Sequence, residues 1–325
     1  MVITVVIPTY NRRESLAHCL ESLFQQTYPH DQFEINVVVD GSTDTTLDYL
    51  KQLTFPCSHQ VLEQSNQGQA SARNTGIRAA HGKYVLLLDD DFVCDSKLIE
   101  EHVDAHTASN LAVVGPILHD LSDGSLPAIA VDREIRPFYE RQREGLQSAA
   151  WFPPNSSLER ELLLACGGYD ERFGSAREDT ELGLRLADRG VAFKYVPGAV
   201  VRQRYQKSSD DLVREAALFG RNDVRLLNKR SDYLPFSNLS RIDEGSAWKR
   251  VTRWLLSAAP FSAEPLFAIL YKVLELSERR ETAVRVLNMR RYITWLRAAV
   301  REANGWRSLK NQIEAARRTS RGQAA

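Results

Sequence analysis

Three consecutive carboxylates, Asp89, Asp90 and Asp91, follow directly on the apolar run Tyr84-Val85-Leu86-Leu87-Leu88. A run that is hydrophobic on both faces predicts a central parallel strand covered on both sides. Open α/β sheets bind ligands beyond the carboxyl ends of their strands, where these acids would lie. Adjacent carboxylates repel one another unless a cation joins them. Hard divalent cations prefer oxygen ligands and complete their shells with phosphate oxygens. Acids after a strand also solvate loops or cap a following helix, so the triplet alone leaves both readings open.

The elements that must position these acids alternate along the chain. Residues 2–8 are apolar and β-branched and predict an opening strand; Leu16, Cys19, Leu20, Leu23 and Phe24 recur at helical spacing, and Pro29 ends that helix. Residues 33–39 predict a second strand ending in the polar turn Asp40-Gly41-Ser42-Thr43-Asp44, with a helix over 45–53. A short strand near 60–63, a helix over 68–80, the strand 84–88 and a helix over 96–106 follow. Such alternation with short connections predicts an α/β fold with a doubly wound, mostly parallel sheet flanked by helices. After Pro116 the rhythm breaks, and residues 120–154 read as a long, turn-rich excursion over one sheet edge. Helices are expected over 158–166 and 178–189, strands over 193–196 and 199–201, and from about Ser209 onward only helices: 210–228, 248–258, 264–278, 281–303 and 306–318. The expected domains are 1–230 (halves 1–118 and 119–230) and a basic helical C-terminal region, 231–325.

A chain of 325 residues can bury a full core. Its formal charge of zero is unevenly spread: residues 247–325 hold 16 Lys and Arg against 6 Asp and Glu, which suggests a different partner for the tail. The four cysteines are scattered without a C-x-x-C pair, as expected of reduced thiols in a reducing compartment, and zinc is not expected. No secretory signature opens the chain and no apolar run is long enough to span a bilayer, so the expected location is cytoplasmic, or peripheral at the inner face of the membrane.

Four segments together resemble the family 2 glycosyltransferases. They are Val5-Val6-Ile7-Pro8-Thr9-Tyr10-Asn11-Arg12; Asp40-Gly41-Ser42-Thr43-Asp44; Gly68 through Ala72-Arg73-Asn74-Thr75-Gly76-Ile77 to Leu88-Asp89-Asp90-Asp91; and Gly167-Gly168-Tyr169-Asp170-Glu171-Arg172-Phe173 with Glu178-Asp179. The resemblance covers roughly residues 2 to 225 and implies a GT-A fold. It also implies inverting transfer of a single sugar from a nucleotide-diphosphate sugar, UDP-linked by preference, to an acceptor hydroxyl in glycan, glycolipid or cell-surface polysaccharide synthesis. The implied donor site comprises Pro8, Thr9, Tyr10, Arg12, Asp40, Arg73, Asp89 and Asp90. Tyr10 offers a flat face to a nucleobase, and Arg73 a fork of donors to a diphosphate. Asp91 and Asp89 correspond to the acids that hold Mn²⁺ or Mg²⁺ against the diphosphate. Asp179, with Glu178 as fallback, takes the place of the general base, although both also suit N-terminal capping of a helix. Trp151 and Asn155 fall where an acceptor pocket is expected. Two departures stand out. Val39 replaces the first acid of a common acidic pair, and Val201-Arg202-Gln203-Arg204 lies where many relatives carry a metal-binding histidine. Rival readings are a nucleotidyltransferase acting on a sugar phosphate, and a nucleotide- or glycan-binding module without catalysis.

The expected partners are the sugar donor and a glycan or lipid-linked acceptor. The tail adds apolar stripes among Trp248, Val251, Trp254, Leu255, Leu266, Phe267, Ile269, Leu270, Val273 and Leu274, flanked by Lys and Arg. Such stripes suit peripheral membrane contact, packing on the catalytic body or a homo-oligomer through residues 247–318. No nucleic-acid recognition module is present.

Overall fold

The computed structural model describes residues 1–122, 124–143, 152–204, 206–244, 246, 253, 255, 264–277 and 279–322. The chain divides into two compact units, residues 1–123 with 131–205, and residues 124–130 with 206–325.

In chain order the first unit runs β1 (Ile3–Thr9), α1 (Arg13–Phe24), β2 (Phe33–Asp40), α2 (Thr46–Gln52), β3 (Ser58–Gln64), α3 (Gln69–Ala79), β4 (Tyr84–Leu87), β5 (Phe92–Cys94), α4 (Leu98–Ala105), β6 (Leu111–Val114) and β7 (Ile117–His119). Helix α5 (Leu126–Arg143) begins in the second unit and ends in the first; β8 (Ser156–Glu159), α6 (Arg160–Ala165), α7 (Glu178–Asp188), β9 (Ala192–Tyr195) and β10 (Val201–Gln203) follow. Seven strands form one sheet in the order β3-β2-β1-β4-β8-β6-β9, and β5-β10-β7 form a second. All pairings of the large sheet are parallel except those of β8, which runs antiparallel to β4 and β6. Every residue of β1, β2 and β4 is buried, as a strand covered on both faces requires. One core layer is built on Ile7, Leu20, Ile35 and Leu86, the other on Val6, Ile77, Leu87 and Leu158.

Beyond the short strands β5, β6 and β7 and the shift of β10 to Val201–Gln203, two elements differ from expectation. The helix read over 158–166 begins only at Arg160, because Ser156–Glu159 pairs as a strand with β4. The turn-rich excursion contains the 18-residue α5, which accommodates Pro137.

The second unit comprises α8 (Ser209–Lys229), α9 (Glu264–Leu276), α10 (Arg280–Glu302) and α11 (Trp306–Gly322), with 3₁₀ turns at Ser231–Phe236 and Asn238–Arg241. Ser208 and Asp211 form a capping box at the start of α8. Most of the helix read over 248–258 lies outside the described residues.

Candidate active site

The site is built at the carboxyl ends of β1, β2 and β4. Parallel pairing sets Thr9 opposite Val39, so the segments leaving β1 and β2 emerge side by side. Asn11 then fastens one to the other: its Oδ1 accepts from the backbone N–H groups of Thr43 (2.7 Å) and Asp44 (3.3 Å). Gly41 is required in this corner, since its φ is +72° and a β-carbon would come 2.6 Å from the Asn66 backbone nitrogen. Pro8 and Thr9 are buried, whereas Tyr10 is 47% exposed and presents its ring at the rim.

Asp40, at the end of β2, accepts from Gln64 Nε2 and the Gln67 N–H at Oδ1 and from the Gly68 N–H at Oδ2, each at 2.8 Å. It thereby fixes the loop that starts α3. Gln69 and Arg73 lie one turn apart on α3 and both donate to Asp89 Oδ1, at 2.9 and 2.7 Å. Arg73 is 1% exposed, and its other terminal nitrogen donates to Glu178 Oε1 at 2.9 Å. Its guanidinium also lies 5.3 Å from the centre of the Tyr169 ring. Asn74 donates to the Tyr169 carbonyl and to Glu171, and accepts from the Tyr169 N–H, which ties α3 to the Gly168–Phe173 segment.

The other two acids are held by Arg12. Its Nη1 donates to Asp90 Oδ1 at 2.8 Å and to Asp91 Oδ2 at 3.2 Å, while Thr9 Oγ1 donates to Asp90 Oδ2 at 2.8 Å. Gln203, on β10, donates to Asp91 Oδ2 at 3.1 Å. Antiparallel pairing of β10 with β5 puts Gln203 opposite Phe92, the residue after Asp91, which explains the contact. Burial pushes the Asp90 carboxyl up to about 6, against the pull of Arg12 and with the help of Asp91's charge. Glu178 is pushed up to about 7, first by burial and then by Asp179, with Arg73 opposing. Asp179 is half-buried, and its Oδ1 accepts from the Thr180 N–H at 2.6 Å.

One buried arginine therefore joins Asp89 at the strand end to Glu178 at the start of α7. Of the expected acceptor residues, Trp151 lies outside the described residues. Asn155 is fully buried; its amide donates to the Pro116 and Ala199 carbonyls and its oxygen meets His102, so its side chain is part of the packing. Sequence reasoning did not single out Gln69 or Tyr169. The four-residue spacing of Gln69 and Arg73 was the available signal for the first.

Among the described residues, no group of three or more His, Cys, Asp and Glu side chains could hold a metal by itself. A cation that completes its shell with phosphate and water needs only one or two carboxylates, however. Asp91 and Asp89 supply oxygens, and a glutamine amide such as that of Gln203 carries an oxygen as well as a nitrogen. Asp91 already draws a guanidinium and an amide N–H, so positive charge is favoured beside it. These residues fit a loosely chelated hard cation, and not a closed protein cage.

A seven-stranded, mostly parallel sheet with an acidic cluster at its carboxyl end and flanking helices is a GT-A architecture. Residues 4–163 match the model of Glycosyl transferase family 2, and through them the chain belongs to that family. The validoxylamine A glucosyltransferase of Streptomyces hygroscopicus is 32% identical over an alignment covering 58% of this chain and 52% of that protein. The poly(ribitol-phosphate) beta-glucosyltransferase of Bacillus spizizenii is 37% identical over 30% of this chain and 16% of its own. The chain spans about half the length, or less, of these curated relatives. Two solved structures share the fold. One is the Pyrobaculum calidifontis mannosyltransferase in complex with GDP-Man and Mn²⁺ (TM-score 0.60, 22% identity, covering 92% of this chain and 86% of that one). The other is Staphylococcus aureus TarS 1-349 in complex with UDP (TM-score 0.52, 17% identity, 90% of each chain). No helix among the described residues is long and apolar enough to cross a membrane.

Proposed function

We propose that this chain transfers a single sugar, with inversion, from a nucleotide-diphosphate sugar to an acceptor hydroxyl in glycan, glycolipid or cell-surface polysaccharide synthesis. One observation carries the reading: Arg73 bonds Asp89 at 2.7 Å and Glu178 at 2.9 Å, so a donor-side acid and the α7 carboxylates share one site. In the proposal Tyr10 stacks on the nucleobase and Asp40 shapes the loop beside it. Arg12 and Arg73 offset the charge of the acids around the diphosphate. A divalent cation held by Asp91, with Asp89 and Gln203 beside it, would neutralise the charge of the departing diphosphate.

Asp179 is the general base in this scheme, because Glu178 is buried and already engaged by Arg73. The acceptor oxygen bonds to the anomeric carbon as the bond from that carbon to the diphosphate oxygen breaks. The hydroxyl proton passes to Asp179, and the bond's electron pair leaves with the nucleotide diphosphate. A hydroxyl is too weak an acid to ionise beforehand, so the base acts at the transition state. UDP-sugars are the donors to test first, as UDP is the nucleotide bound in the TarS structure, with GDP-mannose as the competing choice.

The test is nucleotide release from a panel of UDP- and GDP-sugars with and without Mn²⁺, alongside thermal shift by UDP. Asp179→Asn should lose roughly a hundredfold to ten-thousandfold in turnover and keep its UDP shift. Asp91→Asn should lose the Mn²⁺-dependent part of that shift. An unmodified protein that ignores every activated sugar, or an Asp179→Asn variant with full turnover, sinks the proposal.

A further inference from the structure

We propose that the groove bordered by α8, α9 and α10, with the adjoining outer face of α9, docks on an anionic lipid bilayer surface. This inference concerns the helical unit alone and stands independently of the proposed catalysis.

Helix α9 is apolar on two faces. Tyr271 and Leu274 are buried inside the unit, while Leu266 (72%), Ile269 (65%), Leu270 (44%), Val273 (57%) and Leu276 (85%) are exposed. The exposed positions recur at three- and four-residue spacing, so they form one continuous stripe. A surface helix of a soluble protein carries polar residues on that side. Scattered exposed aliphatics need no explanation, but a contiguous stripe marks an interaction site.

Beside the stripe lies an open groove of about 1100 Å³ with Val213, Leu218, Ala268 and Ile269 among its lining. Arg221, Lys272, Arg297 and Arg301 also line it, as does Arg214, which pairs with Asp211. The acids there are already engaged: Asp210 and Glu264 by Arg290, at 2.8 and 2.7 Å, and Glu302 by Arg225 at 2.8 Å. Counting Arg290, six cations among the described residues line the groove against the three acids Asp210, Glu264 and Glu302, so its charge is positive.

Charge decides the occupant. A second copy on the same face would set arginines against arginines across a two-fold axis, whereas anionic headgroups complement them. Interfaces between proteins are enriched in aromatic residues and methionine, but this stripe is entirely Leu, Ile and Val, which suits acyl chains. With no membrane-crossing helix among the described residues, α9 would lie in the plane of the interface.

Flotation of the full chain with vesicles tests this, comparing pure phosphatidylcholine with an equal mixture of phosphatidylcholine and phosphatidylglycerol. The chain should float with the anionic vesicles only, and lose binding at about 1 M salt, where screening reduces the Debye length to about 3 Å. Lys272→Ala with Arg301→Ala should lower the partition constant roughly thirtyfold, the equivalent of two basic contacts. Ile269→Ser with Val273→Ser should lower it at least about tenfold. All four side chains are exposed, and unchanged circular dichroism would report that the fold survives. No flotation, equal flotation with neutral vesicles, or binding that survives either double substitution overturns the proposal. So does a dimer in solution that the serine pair dissociates without any vesicle binding, since the face would then be a contact between copies.

Discussion

Replacing Arg73 by methionine keeps the volume and removes the charge. In the folded protein this leaves Asp89 and Glu178 without the guanidinium that bonds both, at a position 1% exposed. Removing one partner of a buried ion pair costs about 3–5 kcal/mol, because the other charge stays behind. For a unit of this size that corresponds to about 6–20 °C in melting temperature. Glu178 supplies a sharper signature. Its folded carboxyl is raised to about 7 by burial first and Asp179's charge second, while Arg73 pulls it down. Without Arg73 it rises further. A carboxyl raised on folding stabilises the fold at low pH and loses that contribution as pH climbs through its folded value. The variant's deficit should therefore be smaller at about pH 5.5, where Glu178 is protonated and only the lost Arg73–Asp89 pair remains, than at about pH 8.5. Adding Glu178→Gln should recover at least half of the loss at the higher pH. Thermal unfolding followed by far-ultraviolet circular dichroism at the two pH values reads all of this. A shift equal at both, or below about 1 °C, refutes the claim that Arg73 neutralises these acids.

Two further outcomes follow from packing and burial. Gly220→Ala should raise helix propensity in α8 by up to about 1 kcal/mol, yet a β-carbon there would come 2.9 Å from the Trp295 carbonyl carbon of α10, and closer to its oxygen. Backbone cannot yield as a side chain can, so a net loss of about 1–3 kcal/mol is expected, and a stabilised variant in urea titration would contradict it. His102 is fully buried between Ser157 and Asn155, and burial depresses it from 6.5 to about 4. A folded value below the unfolded one gives stability that is complete above about 6.5 and lost as pH falls toward 4, on the order of 3 kcal/mol in all. Urea midpoints should fall across that window, and less steeply in His102→Gln; identical slopes would rule the residue out.

The parts of the fold legible in sequence were those that follow hydrophobic pattern. β1, β2 and β4 are buried on both faces, and their apolar runs predict both the strands and the rim where Asp40 and Asp89 emerge. β8 was illegible because its burial is polar: Ser157 sits in the sheet by bonding His102 and His106, and no apolar period marks it. The same limit applied within the site. Asn155 falls where an acceptor pocket is expected, yet three hydrogen bonds allow it to sit in the core. Arg12 and Arg73 were both singled out, but nothing local in the sequence says that one holds Asp90 and Asp91 while the other spans to Glu178. Those pairings join residues 78 to 105 apart in sequence, and only the crossovers of the sheet bring them together.

The charges at the rim bear on the departure at Gln203. Among the described pairings, the guanidinium groups of Arg12 and Arg73 bond four of the five carboxyl groups Asp89, Asp90, Asp91, Glu178 and Asp179. Burial removes part of their negative charge, since Asp90 is raised to about 6 and Glu178 to about 7. On the proposed function, a nucleotide diphosphate would bring further negative charge into this partly desolvated site. Opposing charges at contact distance cost several kcal/mol unless a counter-charge accompanies them. On the proposed function, a divalent cation arriving with the donor would meet that need whether or not a histidine helped to hold it, because the demand would come from the summed charge and not from any single ligand. In the proposed reading the amide of Gln203 would set how tightly such a cation is held, and the surrounding acids whether one is required.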